Sequence, residues 1–206
     1  MSDVILSAKG LCKSFASDGE QNHVLSDVNI DIYEKDFTVV MGVSGSGKST
    51  LLYCLSGMET VTSGKVVYKG NTISDYKENQ LVALRRGDFG FIFQQIHLVS
   101  NLTLLENIAV PGYLNKSVSS SQFNERADAL ISSFGLTYAK NRLPSQTSGG
   151  EQQRAAIARA LISNPKLLFA DEPTGALNRK NGIDVLDLLT KLNEDGQSIL
   201  MVTHDM

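Results

Sequence analysis

The chain has 206 residues, and its 42% hydrophobic content is enough to bury the core of one large α/β domain or two small ones. A formal net charge of −3 argues against a nucleic-acid surface as the main partner. No apolar run approaches the length of a bilayer span, Met1-Ser2-Asp3-Val4 lacks the features of a secretory signal, and two cysteines, Cys12 and Cys54, read as reduced thiols of a cytosolic protein rather than a disulfide framework.

In chain order, residues 4–10 and 28–32 read as strands on either side of a polar loop at 16–21. Residues 37–41, Phe-Thr-Val-Val-Met, form a β-rich apolar run. Gly42-Val43-Ser44-Gly45-Ser46-Gly47-Lys48-Ser49-Thr50 follows at once, with the pattern G-x-x-x-x-G-K-[ST]. Its glycines let backbone N–H groups turn inward around a polyphosphate. Lys48 is placed to reach the β- and γ-phosphates, and the Ser49 hydroxyl to ligate Mg²⁺. A helix beginning here aims its positive dipole end at the anion, and Gly57 is a plausible stop.

Residues 65–68 form a short strand between Gly64 and Gly70, residues 78–86 a helix, and residues 89–93 a buried strand. Residues 103–160 read as mostly helical, opening on Thr103 as a capping residue. Phe123, Ala127, Leu130, Ile131 and Phe134 form a helical stripe. Ser148-Gly149-Gly150-Glu151-Gln152 places a second glycine pair at a helix N-terminus, a second anion site by the same physics as the first. Two phosphate sites for one nucleotide imply that they belong to different copies of the chain. An apolar strand at 166–170 ends in Asp171-Glu172, where one carboxylate can organise Mg²⁺ and the other orient or deprotonate a water. An amphipathic helix at 180–193 and a buried strand at 198–202 complete an alternation that implies a largely parallel sheet covered on both faces.

The chain resembles an ATP-binding-cassette ATPase over essentially its whole length. Residues 148–152 resemble the cassette signature L-S-G-G-Q, and the other motifs fall in family order. The resemblance implies an α/β phosphate-loop NTPase (RecA-like) core with an antiparallel β subdomain and an inserted helical subdomain. As one domain, 1–94 and 161–206 would be the core and 95–160 the helical insertion carrying the signature, with a shortened C-terminus. It implies ATP and Mg²⁺ as cofactors. Lys48, Gln94, Glu172 and His204 would be catalytic. Ser49, Gln94 and Asp171 would serve the metal. Phe15 would stack on adenine. Residues 42–50, Gln94, Ser148, Gly149, Gly150 and Glu151 would bind nucleotide. Residues 175–178 match the family's D-loop, with Asn178 in place of the usual aspartate; Thr147 replaces the leucine of the signature. The partners implied are a second ATPase subunit, in an ATP-dependent head-to-tail homodimer, and an integral membrane permease contacted through about residues 94–106, where Ile96, Leu98 and Val99 are expected to be exposed. The location implied is the inner face of the cell membrane.

Finer features narrow the resemblance. Residues 91–98, 102–107 and 171–178 look like those of the lipoprotein-release, macrolide-export and bacitracin-resistance group (LolD, MacB and BceA types), the last segment most like the bacitracin-resistance type. A subunit of a lipoprotein-release or cell-division (FtsE-like) complex is the second reading, and a non-transport cassette ATPase the third. Translation regulators of this family carry two cassettes in tandem. Chromosome-maintenance ATPases insert a long coiled coil, whereas Lys48 and Ser148 lie only 100 positions apart, without sustained heptads.

Overall fold

The computed structural model describes residues 3–17, 20–114 and 120–204. Strands β1 (Val4–Ser17) and β2 (Glu20–Tyr33) pair antiparallel along their whole length, and β1 also pairs with β4 (Ser63–Tyr68), which pairs with β5 (Asn71–Thr72). This four-stranded sheet has the order β2-β1-β4-β5. The second sheet is parallel: β3 (Phe37–Met41), β8 (Ser198–Thr203), β7 (Leu167–Asp171) and β6 (Phe89–Ile92), side by side in that order.

One expectation is corrected here. The first two strands reach 14 residues each, so most of the expected loop at 16–21 is strand; residues 18 and 19 lie outside the described residues. Register shifts at Ala8/Leu11, Leu11/Lys13 and Lys13/Ser14 break the two-residue alternation that a sequence reader follows. Lys13 of β1 is buried, its ammonium donating to Glu59 Oε1 (2.7 Å) and to the Thr60 carbonyl (2.7 Å).

Both faces of the parallel sheet are covered, as expected. Alternate residues of β7 and β8 point to opposite faces. Leu168, Ala170, Ile199 and Met201 join the apolar sides of α5 (Gly149–Leu161) and α6 (Arg179–Glu194). Leu167, Phe169, Leu200 and Val202 pack instead with α1 (Lys48–Leu55) and with Leu6, Leu11 and Ile32 of the antiparallel sheet. One face is therefore covered largely by a second sheet rather than by helices alone. Continuous burial of both central strands follows from this three-layer arrangement.

The remaining α-helices among the described residues are α2 (Glu78–Gly87), α3 (Leu104–Tyr113) and α4 (Ser120–Ser133). Thr103 caps α3, its hydroxyl accepting from the Glu106 N–H while Glu106 Oε2 accepts from the Thr103 N–H (2.7 Å). Buried Asn107 clamps the loop before it. Its Oδ1 accepts from the Val99 N–H (2.7 Å), and its Nδ2 reaches the carbonyls of Val99, Leu102 and Thr103. Asn107→Ala strands these groups, and is expected to cost about 2 kcal/mol in chemical denaturation. An unchanged denaturation midpoint would show that the clamp adds nothing.

Candidate active site

The C-terminal ends of the four parallel strands bring the site together, as expected for an open α/β sheet. After β3 the chain turns through residues 42–47 into α1. Gly47 is required twice over at this turn. Its φ is +87°, and a Cβ there would lie 3.0 Å from the Val24 carbonyl and 3.0 Å from Val24 Cγ1. The loop is thus laid tightly on β2. Buried Lys48 folds back over the loop, its ammonium donating to the carbonyls of Gly42 (2.8 Å) and Val43 (2.9 Å). An ammonium has three donors, so one remains for a phosphate oxygen.

A cleft of about 410 Å³ opens at this loop. Ser44, Gly45, Gly47, Lys48, Ser49 and Thr50 line one side, and Gln94, Glu172 and His204 the other. Gln94 follows β6, Glu172 follows β7, and His204 follows β8, so three strands each deliver one polar side chain.

Asp171 and Glu172 are consecutive and would point oppositely in a regular strand. The alternation is broken at Glu172, whose φ is +45°. This is an uncommon conformation for a residue with a side chain, of the kind stored at functional sites. It is held by Glu172 N–H donation to the Val202 carbonyl (3.0 Å) and by Gly175 N–H donation to the Glu172 carbonyl (3.0 Å). As a result Asp171 turns toward α1 while Glu172 faces the cleft. Glu172 Oε2 lies 2.9 Å from His204 Nδ1.

The Asp171 carboxylate receives two donors from α1. Ser49 Oγ donates to Oδ1 (2.7 Å), and the Tyr53 hydroxyl donates to Oδ2 (2.6 Å). Burial, followed by this hydrogen bond to Asp171, pushes the Tyr53 phenol up to about 12. A hydroxyl beside a carboxylate is a sparse, hard-oxygen donor set. Among the described residues no group of three or more His, Cys, Asp and Glu gathers to hold a metal. That set fits Mg²⁺, which keeps several waters and takes its remaining ligands from phosphates.

The segment after Glu172 is packed against the rest of the site. A Cβ on Gly175 would lie 3.0 Å from Gln94 Nε2 and 3.4 Å from Glu172 Oε2. Buried Gln153 of α5 donates to the Pro173 carbonyl (2.8 Å). Asn178 caps α6, its side chain accepting from the Asn181 N–H (2.9 Å), a role that an aspartate would fill equally.

Ser148, Gly149, Gly150 and Glu151 do not line the cleft; they stand apart from it, at the start of α5. Ser148 caps the helix. Its hydroxyl donates to Glu151 Oε2 (2.6 Å) and accepts from the Glu151 N–H (3.3 Å), and its own N–H donates to Oε2 (2.6 Å). The Tyr138 hydroxyl donates to Oε1 (2.6 Å). The Ser148 hydroxyl first, and then Tyr138, hold the Glu151 carboxyl down at about 2. Glu151 is therefore engaged within the cap through both its carboxylate and its N–H. Ser148 and Gly149 are exposed, while Gly150 is packed against Asn181, 3.0 Å from where its Cβ would be.

Phe15 is half-exposed on β1, paired with Asn22 and lying 4.6 Å beneath the Lys13 ammonium, outside the residues that line the cleft. Sequence reasoning passed over Tyr53, Val24 and Gln153. The available signal at Tyr53 was its spacing: it stands four residues after Ser49 on the same helix face.

The sequence matches the ABC transporter family over residues 25–175. It is 45% identical over 201 residues to an uncharacterized ABC transporter ATP-binding protein of Methanocaldococcus jannaschii, MJ1508, covering 98% of this chain and 89% of that protein. It is 41% identical to the macrolide export ATP-binding/permease protein MacB of Vibrio parahaemolyticus, covering all of this chain but only 31% of the MacB length. The ATP-binding cassette MJ0796, solved as a dimer, matches with a TM-score of 0.88 and 39% identity, covering 97% of this chain and 88% of that one. A second structure of MJ0796, a dimer in a post-hydrolysis state with ADP and Pi bound, gives 0.87.

Proposed function

Since the chain belongs to the ABC transporter family, as an ATP-hydrolysing cassette, we propose that it powers a separate membrane permease of the MacB/BceA-like type, in antimicrobial-peptide resistance, export or mechanotransmission. The observation that carries this reading is the cleft in which Lys48, Ser49, Gln94, Glu172 and His204 converge on the residue 42–50 loop. We assign the β- and γ-phosphates of ATP to Lys48 and the loop N–H groups, Mg²⁺ to Ser49, Asp171 and Gln94, and adenine to Phe15. Glu172 takes the proton of the attacking water, and His204, at its Oε2, holds that carboxylate toward the phosphate. Ser148, Gly149 and Gly150 serve the nucleotide of a second copy. Residues 1–94 and 161–206 act as the nucleotide core, and residues 95–160 as the lever that the nucleotide moves.

The cassette works at the inner face of the cell membrane through its permease. Among the described residues no helix is long and apolar enough to cross a membrane. A cleft of about 440 Å³ between β6, α2, α3 and α5 supports the docking part of the reading. Phe91 and Phe93 lie in it, Val99, Val110 and Leu114 line it with exposed apolar surface, and Arg85, Arg86 and Arg159 add positive charge. None of the lining residues is acidic. Arg85 is tied to Glu78 and the Gly57 carbonyl, and Arg159 to the Ile96 and His97 carbonyls. Exposed Arg86 is thereby the cation turned to a visitor. A short cytoplasmic helix with an apolar face and one carboxylate suits this surface.

The expected exposure of Ile96, Leu98 and Val99 needs correction. Val99 is exposed, but Ile96 is half-buried and Leu98 packs against the helical core. His97, at φ +47°, reverses the chain between them. The test therefore uses Val110→Asp and Arg86→Glu. Basal ATPase should stay within about twofold, since surface changes away from special features cost little. Stimulation by co-expressed permease should be lost. Stimulation that survives in both variants refutes docking at this cleft, and a chain that hydrolyses no ATP with or without permease refutes the function.

A further inference from the structure

The Asp171 carboxylate is gripped by one helix at two points. Ser49 and Tyr53 stand four residues apart on α1, hence on one face, and each gives a hydroxyl proton to a different carboxylate oxygen, at 2.7 and 2.6 Å. Two donors on two oxygens fix the carboxylate plane, whereas one would leave it free to rotate about the bond to the Cβ. Asp171 is buried at the end of β7, so water offers little substitute for either donor. Tyr53 is itself anchored. Its ring packs at the edge of the core beneath the antiparallel sheet, and its carbonyl accepts from the N–H groups of Met58 (2.9 Å) and Glu59 (3.0 Å).

We propose that Tyr53 is the positioning residue of the divalent-metal site, locking the Asp171 carboxylate so that Oδ1 and the Ser49 oxygen face the metal together. The inference rests on the reading of residues 42–50 and Asp171 as the MgATP site. Tyr53 touches neither nucleotide nor metal; it acts through Oδ2 alone. Each carboxylate oxygen has two lone pairs, so those not taken by the hydroxyls stay available to the metal or its waters. Orienting partners behind a metal's ligands are worth about tenfold or more in metal affinity.

The experiment uses the full chain and Tyr53→Phe, which keeps the ring and its packing and removes only the hydroxyl. Mn²⁺ affinity is read by electron paramagnetic resonance with a non-hydrolysable ATP analogue present. Affinity for a fluorescent ATP analogue is read in EDTA, and the melting temperature is followed alongside. The expected result is about a tenfold weaker Mn²⁺ affinity in Tyr53→Phe, with metal-free nucleotide affinity unchanged. The magnesium concentration that half-saturates hydrolysis should rise in step. Unchanged Mn²⁺ affinity in Tyr53→Phe overturns the proposal while leaving the nucleotide site intact. An equal loss of metal-free nucleotide affinity also overturns it, because a merely structural role moves both readouts together. Wild-type protein that binds no Mn²⁺ beside the analogue overturns the proposal and the MgATP reading with it.

Discussion

Glu172→Gln is expected to bind ATP as the wild type does and to hydrolyse it on the order of a hundredfold or more slowly, the scale of a lost general base. Glutamine keeps the shape of the side chain and its reach to His204 Nδ1, which lies 2.9 Å from Oε2 in the wild type. It removes the basic oxygen that would take a proton from water. Lys48→Ala is expected to abolish binding or turnover, because the side chain contributes twice. It ties the loop carbonyls of Gly42 and Val43 together, and in the proposed site it would supply the localised charge at the transferring phosphate. Phosphate release gives turnover, and a fluorescent nucleotide gives affinity. Turnover near the wild-type rate in Glu172→Gln sinks the catalytic-base assignment. Tight binding together with normal turnover in Lys48→Ala sinks the reading of the loop.

The elements whose logic is local were legible in the sequence. The residue 42–50 loop, the capped start of α3 and the glycine pair at α5 each announce themselves within a few residues, because turn and cap chemistry is a short-range property. The strand carrying Asp171 was legible from its apolar run, but not the conformation of Glu172. The positive φ there is held in part by a bond to Val202 on another strand, 30 positions away. The length of β1 and β2 was hidden because bulges shift the phase of the alternation. Tyr53 reads as one more residue of the helix that follows the loop. Its importance lies in a partner 118 positions away, which no local pattern encodes. Leu98 was misjudged for a related reason. A loop-like composition predicts exposure, whereas Asn107 and Arg159 fold this loop onto the core with hydrogen bonds that cross as many as 63 positions of sequence.

With saturating ATP, the Glu172→Gln chain is expected to run as a dimer on size exclusion, and Ser148→Arg in that background as a monomer. The start of α5 stands apart from the phosphate cleft of its own chain, yet it presents exposed Ser148 and Gly149 at a helix N-terminus. Such an N-terminus favours an anion through unpaired N–H groups and the helix dipole. In the proposed head-to-tail dimer, the phosphates of a nucleotide held in a second copy would provide that anion, at two identical contacts. ATP would then be a ligand of the dimer alone, and the dimer population is expected to rise with both nucleotide and protein concentration. Blocking hydrolysis preserves the ligand, hence the Glu172→Gln background. Ser148→Arg places a long side chain where the phosphate would sit, and it also removes the cap, at a cost of about 1 kcal/mol. A melting curve and the nucleotide affinity of the variant's own cleft separate these effects, since loss of the cap alone leaves that cleft able to bind ATP. A Glu172→Gln chain that stays monomeric at saturating ATP, both alone and with its permease, means that residues 148–151 have no nucleotide to meet and serve only to start α5.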